Sequence, residues 1–175
     1  HLFWVGDSDR VLKEMKTFII DQQPTRAYEE KLLTLLAIRV LSPGGGIHHV
    51  KEVIAEFATQ YRGNLISFDP DMMVATFEGP SKAVHCSIDM MDALRSMGTQ
   101  LTIGIHIKEG LASEAHQLSN NTEAFMDLIM RQGESNHILI TQTVKYLLSG
   151  AGVNCSALHT ITAVSYTHLT LPTKP

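Results

Sequence analysis

The chain of 175 residues carries two cysteines, Cys86 and Cys155, far apart and without a CxxC spacing. Neither a disulfide framework nor a zinc site is therefore suggested, and a reducing cytoplasm is the expected compartment. No apolar run approaches the roughly 20 residues of a spanning helix, and the N-terminus lacks a signal-peptide pattern, so no membrane partner is expected for this segment. The net charge of -4 leaves no basic footprint, which argues against nucleic acid. Also missing are a G-x-S-x-G nucleophile elbow, a G-x-G-x-x-G fingerprint, a G-K-[ST] loop ending and any internal repeat.

Hydrophobic residues at 44% and charged ones at 18% are enough to build a real core, and the length suits one domain with appendages. The organising stretch is Asn64 to Pro80. Two β-prone runs, Leu65 to Phe68 and Met72 to Phe77, flank Asp69-Pro70-Asp71, which reads as a tight antiparallel hairpin with acids at its tip. Such acids can hold a divalent cation against a phosphate, although Asp and Pro are also ordinary turn residues.

Before the hairpin, Val11, Leu12, Met15, Phe18 and Ile19 recur at helical spacing behind the capping candidates Asp7 and Ser8. Arg26 to Lys31 is a charged connector. Leu32 to Leu41 is a near-continuous apolar run, suited to a central strand buried on both faces. Ser42-Pro-Gly-Gly-Gly46 could offer amides to a phosphate but is more often a turn. Ile47 to Tyr61 has one apolar stripe and reads as a helix, with His48 and His49 pointing apart in its first turn.

After the hairpin, Pro80 opens a long amphipathic helix to Gly98, on which His85 and Cys86 point apart and make no nucleophilic pair. Thr99 to Lys108 alternates as a strand. Ala112 to Glu123 is polar, and Thr122 is the expected cap of a helix bearing Phe125, Met126, Ile129 and Met130. His137 to Thr141 reads as a strand, Thr141 to Leu148 as a short helix and Asn154 to Ala163 as a last strand.

The runs Val74-Ala-Thr-Phe-Glu-Gly-Pro80 and Leu101-Thr-Ile-Gly-Ile-His-Ile-Lys-Glu109 resemble the class III adenylate/guanylate cyclase catalytic domain. That family carries a K-x-x-G-D-G hairpin, an A-T-F-x-G-P helix start and an I-G-I-H-x-G-E strand. The resemblance runs in order from Leu32 to Ala163 and is close between Asp71 and His106. It implies an α+β, ferredoxin-like cyclase-homology fold, a mostly antiparallel sheet with helices covering one face, working as a homo- or heterodimer on ATP or GTP with Mg or Mn. The opening His1 to Asp7 resembles the D-H-x-P-W-V-G-D run of an α/β-hydrolase fused ahead of a cyclase, with His1 as triad base. Domains are thus expected at 1–31 (remnant helix and linker), 32–163 (cyclase homology) and 164–175, a tail that resembles adapter read-through.

Carried onto this chain, the family pattern keeps one functional group and loses four. Asp71 matches the second metal aspartate and is the candidate metal ligand, flanked by Pro70 and Met72 instead of glycines. Arg39 stands where the first metal aspartate belongs, Ser67 where a purine-reading lysine belongs, and Ala124 and Leu128 where an asparagine and a charge-neutralising arginine belong. Arg131 lies one helix face away, and Lys108 replaces the glycine after His106. Losing one charge-stabilising donor costs on the order of 10²- to 10³-fold in rate, so no catalytic residue is assigned. The expected function is a silent cyclase-homology domain in dimerisation or regulation. One alternative is half of a composite cyclase site completed by a partner chain; another is a fragment of a hydrolase–cyclase fusion.

Overall fold

The computed structural model describes residues 30–69, 71–111, 118–155, 159–163 and 166–171. The expected helix over Val11 to Ile19, the residue His1 and the connector at Arg26 lie outside them. Among the described residues seven strands and four helices follow in the order β1 (Glu30–Ser42), α1 (Ile47–Gln60), β2 (Asn64–Asp69), β3 (Met72–Phe77), α2 (Pro80–Ser96), β4 (Gln100–Leu111), α3 (Asn120–Arg131), β5 (Ile138–Ile140), α4 (Gln142–Leu147), β6 (His159–Ala163) and β7 (Tyr166–Leu171).

Five strands form one sheet in the order β2-β3-β1-β4-β5, antiparallel except for the β4–β5 pair. The first six elements are a split βαββαβ unit, the ferredoxin-like arrangement, with β5 added beside β4. Strand β1 is central because its sequence lets both faces be buried. Leu36 and Ile38 point into one apolar cluster, Leu35 and Ala37 into another, and all four are at most 1% exposed.

The larger cluster joins Leu36 and Ile38 to Val50 and Ile54 of α1, Met90 and Leu94 of α2, and Val144 of α4. The smaller one joins Leu35 and Ala37 to Phe125, Met126, Ile129 and Met130 of α3. Helices therefore cover both faces, which corrects the expectation of one covered face. The apolar stripe of α3 needed a surface of its own, and β1 supplied it by alternation. Close approach there depends on Gly104 of β4, where an added Cβ would lie 3.1 Å from Met130 Cγ and 3.3 Å from Ile129 Cγ2.

Two boundaries differ from expectation. Helix α3 is capped by Ser119, whose Oγ accepts from the Thr122 amide at 3.3 Å, so Thr122 is a buried first-turn residue and not the cap. The last expected strand is shorter, starting at His159, and pairs with Tyr166–Leu171 in a separate two-stranded sheet.

Candidate functional site

A cleft of about 450 Å³ opens between the tip of the β2–β3 hairpin and α3, lined by Arg39, Asp69, Asp71, Asn120, Glu123 and Asp127 among others. The hairpin brings its acids there because the two-strand ladder runs to the Asp69–Met72 pair, leaving only the tip to turn. The Asp69 carboxylate accepts from the Asp71 amide at 3.0 Å, the local bond by which an Asp closes its own turn. Helix α3 brings Asn120, Ala124 and Asp127 at spacings of four and three, so all three share one face.

Arg39 reaches this cleft from β1. Counting from Leu35 and Ala37, the strand alternation turns it toward α3. Its Nε donates to the Asp71 carbonyl oxygen at 3.2 Å, and its Nη2 donates to Asp127 Oδ1. The other carboxylate oxygen of Asp127 accepts from Arg131 Nε at 2.6 Å, one helical turn on. Burial pushes the Asp127 carboxyl up, and the hydrogen bonds and charges of Arg39 and Arg131 outweigh it, holding the acid below its ordinary value. Asp127 is thus an anion with both oxygens engaged.

A divalent ion does not fit this donor set. Two-metal chemistry needs carboxylates free to coordinate on one side of the cleft, and here a guanidinium fills that side. Among the described residues no group of three His, Cys, Asp or Glu is placed to hold a metal. Asp71 itself is exposed, lines the cleft and touches Arg39 through its main chain.

Of the other residues singled out from the sequence, Ala124 lines the cleft and offers only a methyl group there. Leu128 does not line it; its carbonyl accepts from Gln132 Nε2 at 3.3 Å. Ser67 Oγ donates back to the Met72 carbonyl at 3.3 Å, within the hairpin. His106 is 6% exposed under α3, its Nδ1 3.2 Å from Thr141 Oγ1 and its ring edge-on to Phe125. Burial, with the nearby Lys108 charge, pulls its pKa down to about 4, so it is a neutral packing residue. His48 and His49 are exposed beside Glu52, at 3.3 Å and 3.5 Å. The Gly44 amide donates to Thr99 Oγ1 at 3.1 Å, so the glycine run is a packed turn rather than a phosphate cradle. His85 is exposed while Cys86 is buried, and they face apart.

Asp127 was not visible in the sequence pattern. Its one local sign is the i, i+4 spacing to Arg131, which is also common on ordinary helix surfaces.

No family model matches the chain, and no curated protein matches it. Solved structures do. The adenylate/guanylate cyclase/hydrolase from Silicibacter pomeroyi superposes with a TM-score of 0.68 at 14% identity, over 82% of this chain and 95% of that one. The catalytic core of a rhodopsin-guanylyl cyclase with converted specificity, in complex with ATPαS, gives 0.64 at 9% identity over 82% and 95%. A dimeric guanylyl cyclase domain of the RhoGC fusion protein from the aquatic fungus Blastocladiella emersonii gives 0.60 at 9% identity, over 82% and 97%. The chain has the fold of adenylate and guanylate cyclase catalytic domains.

Proposed function

We propose that this cyclase-type domain is catalytically silent and acts by pairing with another cyclase-type domain, as a dimerisation or regulatory module of cyclic-nucleotide signalling in the cytoplasm. The observation that carries this reading is the guanidinium of Arg39 bound to Asp127 in the cleft between hairpin and helix. A fixed cation there opposes the entry of Mg or Mn, and without metal there is nothing to polarise a triphosphate or ready a ribose hydroxyl. The α3 positions that answer to the family's asparagine and charge-neutralising arginine carry the apolar side chains of Ala124 and Leu128, and Arg131 is engaged by Asp127.

A partner is part of this reading because one of the solved neighbours is described as dimeric and another holds a nucleotide analogue. Free thiols at Cys86 and Cys155 suit a reducing compartment. The decisive assay incubates the purified chain with ATP or GTP and Mg or Mn, and follows cyclic nucleotide by mass spectrometry. No product is expected; turnover that disappears in Asp71→Ala would overturn the reading.

One observation favours a second reading. Asp71 remains exposed at the cleft, so a partner chain could use its carboxylate as a residual metal ligand in a composite site converting ATP or GTP to cyclic nucleotide and pyrophosphate. Product formed only on mixing with a second cyclase domain, and lost in Asp71→Ala, would favour it.

A further inference from the structure

The lining of the cleft holds four carboxylates, Asp69, Asp71, Glu123 and Asp127, and one cation, Arg39. Two of these acids belong to the hairpin tip and two to α3, so without a cation between them the two walls carry like charge and repel. Arg39 touches both walls at once: its Nε holds the Asp71 carbonyl at 3.2 Å and its Nη2 holds the Asp127 carboxylate. The side chains of Arg39 and Asp127 are only 23% and 28% exposed, so water screens the pair incompletely.

We infer that Arg39 is a tethered cation that locks the hairpin tip onto α3, so that the cleft is held together without a divalent ion and excludes one. The planar guanidinium suits this task because it can serve a carbonyl and a carboxylate in fixed directions, which a lysine ammonium does less well. Arg131, by engaging the second oxygen of Asp127, keeps that carboxylate turned toward Arg39. This lock uses the same cleft as the proposed function. The two fail separately: a chain that makes no product yet binds Mn in the cleft refutes the lock alone, and one that makes product while its hairpin exchange still depends on Arg39 refutes the silent reading alone.

Hydrogen exchange at the Asp71 and Met72 amides, with and without Mn, reads the lock directly. In the unaltered chain these amides should exchange at the same rate in EDTA and in Mn, and a Mn titration followed by electron paramagnetic resonance should show no cleft-bound ion. Arg39→Met keeps the length of the stem and removes the charge; it should speed hairpin-tip exchange roughly tenfold while leaving β4 unchanged. Arg39→Asp should speed it further in EDTA and be slowed again by Mn. Should Arg39→Asp fail to fold, Asp127→Asn, which keeps the shape and drops the anchor charge, should give the Arg39→Met result. Bound Mn in the unaltered chain, or unchanged hairpin exchange in Arg39→Met, overturns the inference.

Discussion

The imidazole of His106 stands edge-on against the ring of Phe125, 4.6 Å between centroids at 64°, and so ties β4 to the helix that walls the cleft. Phe125 is 3% exposed and packs with Met126 and Ile129, so the histidine must enter that layer uncharged. The charged form would have to be desolvated beside Lys108.

The first prediction follows from the sign of this shift. His106 titrates at about 4 in the folded chain against an ordinary 6.5, so the unfolded chain takes up its proton first. Its contribution is fully present above pH 6.5, is lost progressively as pH falls, and the loss is complete below about 4; the total is on the order of 3 kcal/mol. Asp127, held below its ordinary 3.8, adds loss only at still lower pH. Urea melts between pH 7 and pH 4 should show this slope in the unaltered chain and a flatter one in His106→Gln. Equal slopes would show that His106 is not its source.

A second prediction concerns how near α3 lies to the sheet. Gly104 leaves no room for a branched side chain, since even a Cβ would meet Met130 and Ile129 at 3.1 Å and 3.3 Å. Gly104→Val should therefore overpack the smaller cluster and cost about 1–3 kcal/mol, seen as a lower thermal midpoint. Gly79→Val serves as control, because a Cβ there meets nothing within 4 Å and its backbone is extended.

Much of the sheet is legible in the sequence because its signals are local. Leu32 to Leu41 is too apolar for an edge, Asp-Pro-Asp punctuates two β-prone runs, and the stripes of α1 and α2 repeat at helical spacing. The cleft is less legible for a physical reason. Arg39 and Asp127 are 88 positions apart, and while Arg39 is legible as a cation where the family pattern has a metal aspartate, Asp127 reads alone as an ordinary surface charge. Their pairing depends on which face of β1 receives α3, and that is settled by Gly104 and the four buried apolar residues of α3 together. The cap of α3 was misplaced for a smaller reason. Ser119 and Thr122 are both good caps, three residues apart, and only burial of Thr122 against the sheet decides between them.

The two thiols should differ in reactivity. Cys86 lies in the larger cluster at 0% exposure, and burial, followed by the Asp89 charge, pushes its thiol up to about 12. Little thiolate forms there near neutral pH, whereas Cys155 is partly exposed at the cluster margin. With a disulfide reagent at pH 8, one thiol should react quickly and the second only at the rate of unfolding. Mass spectrometry should place the fast label on Cys155; a fast label on Cys86 would contradict its burial.

The last prediction separates packing from ligand binding in the turn Ser42 to Gly46. A Cβ on Gly44 would lie 2.1 Å from the Met97 carbonyl oxygen and 2.8 Å from the Thr99 nitrogen. Those are backbone atoms at the end of α2, so relief requires moving the turn or the helix end. The Gly44 amide would also leave Thr99 Oγ1, a 3.1 Å bond between a buried threonine and the turn. Gly44→Ala should thus destabilise by about 2 kcal/mol or more, the loss of a close approach adding to that of a hydrogen bond. If the glycines instead served a phosphate, the folded chain should gain stability from added phosphate or ATP, and Gly44→Ala should abolish that gain while leaving the ligand-free midpoint near its original value. Thermal melts with and without these anions decide, and a lowered midpoint in Gly44→Ala with no response to either anion is the expected result.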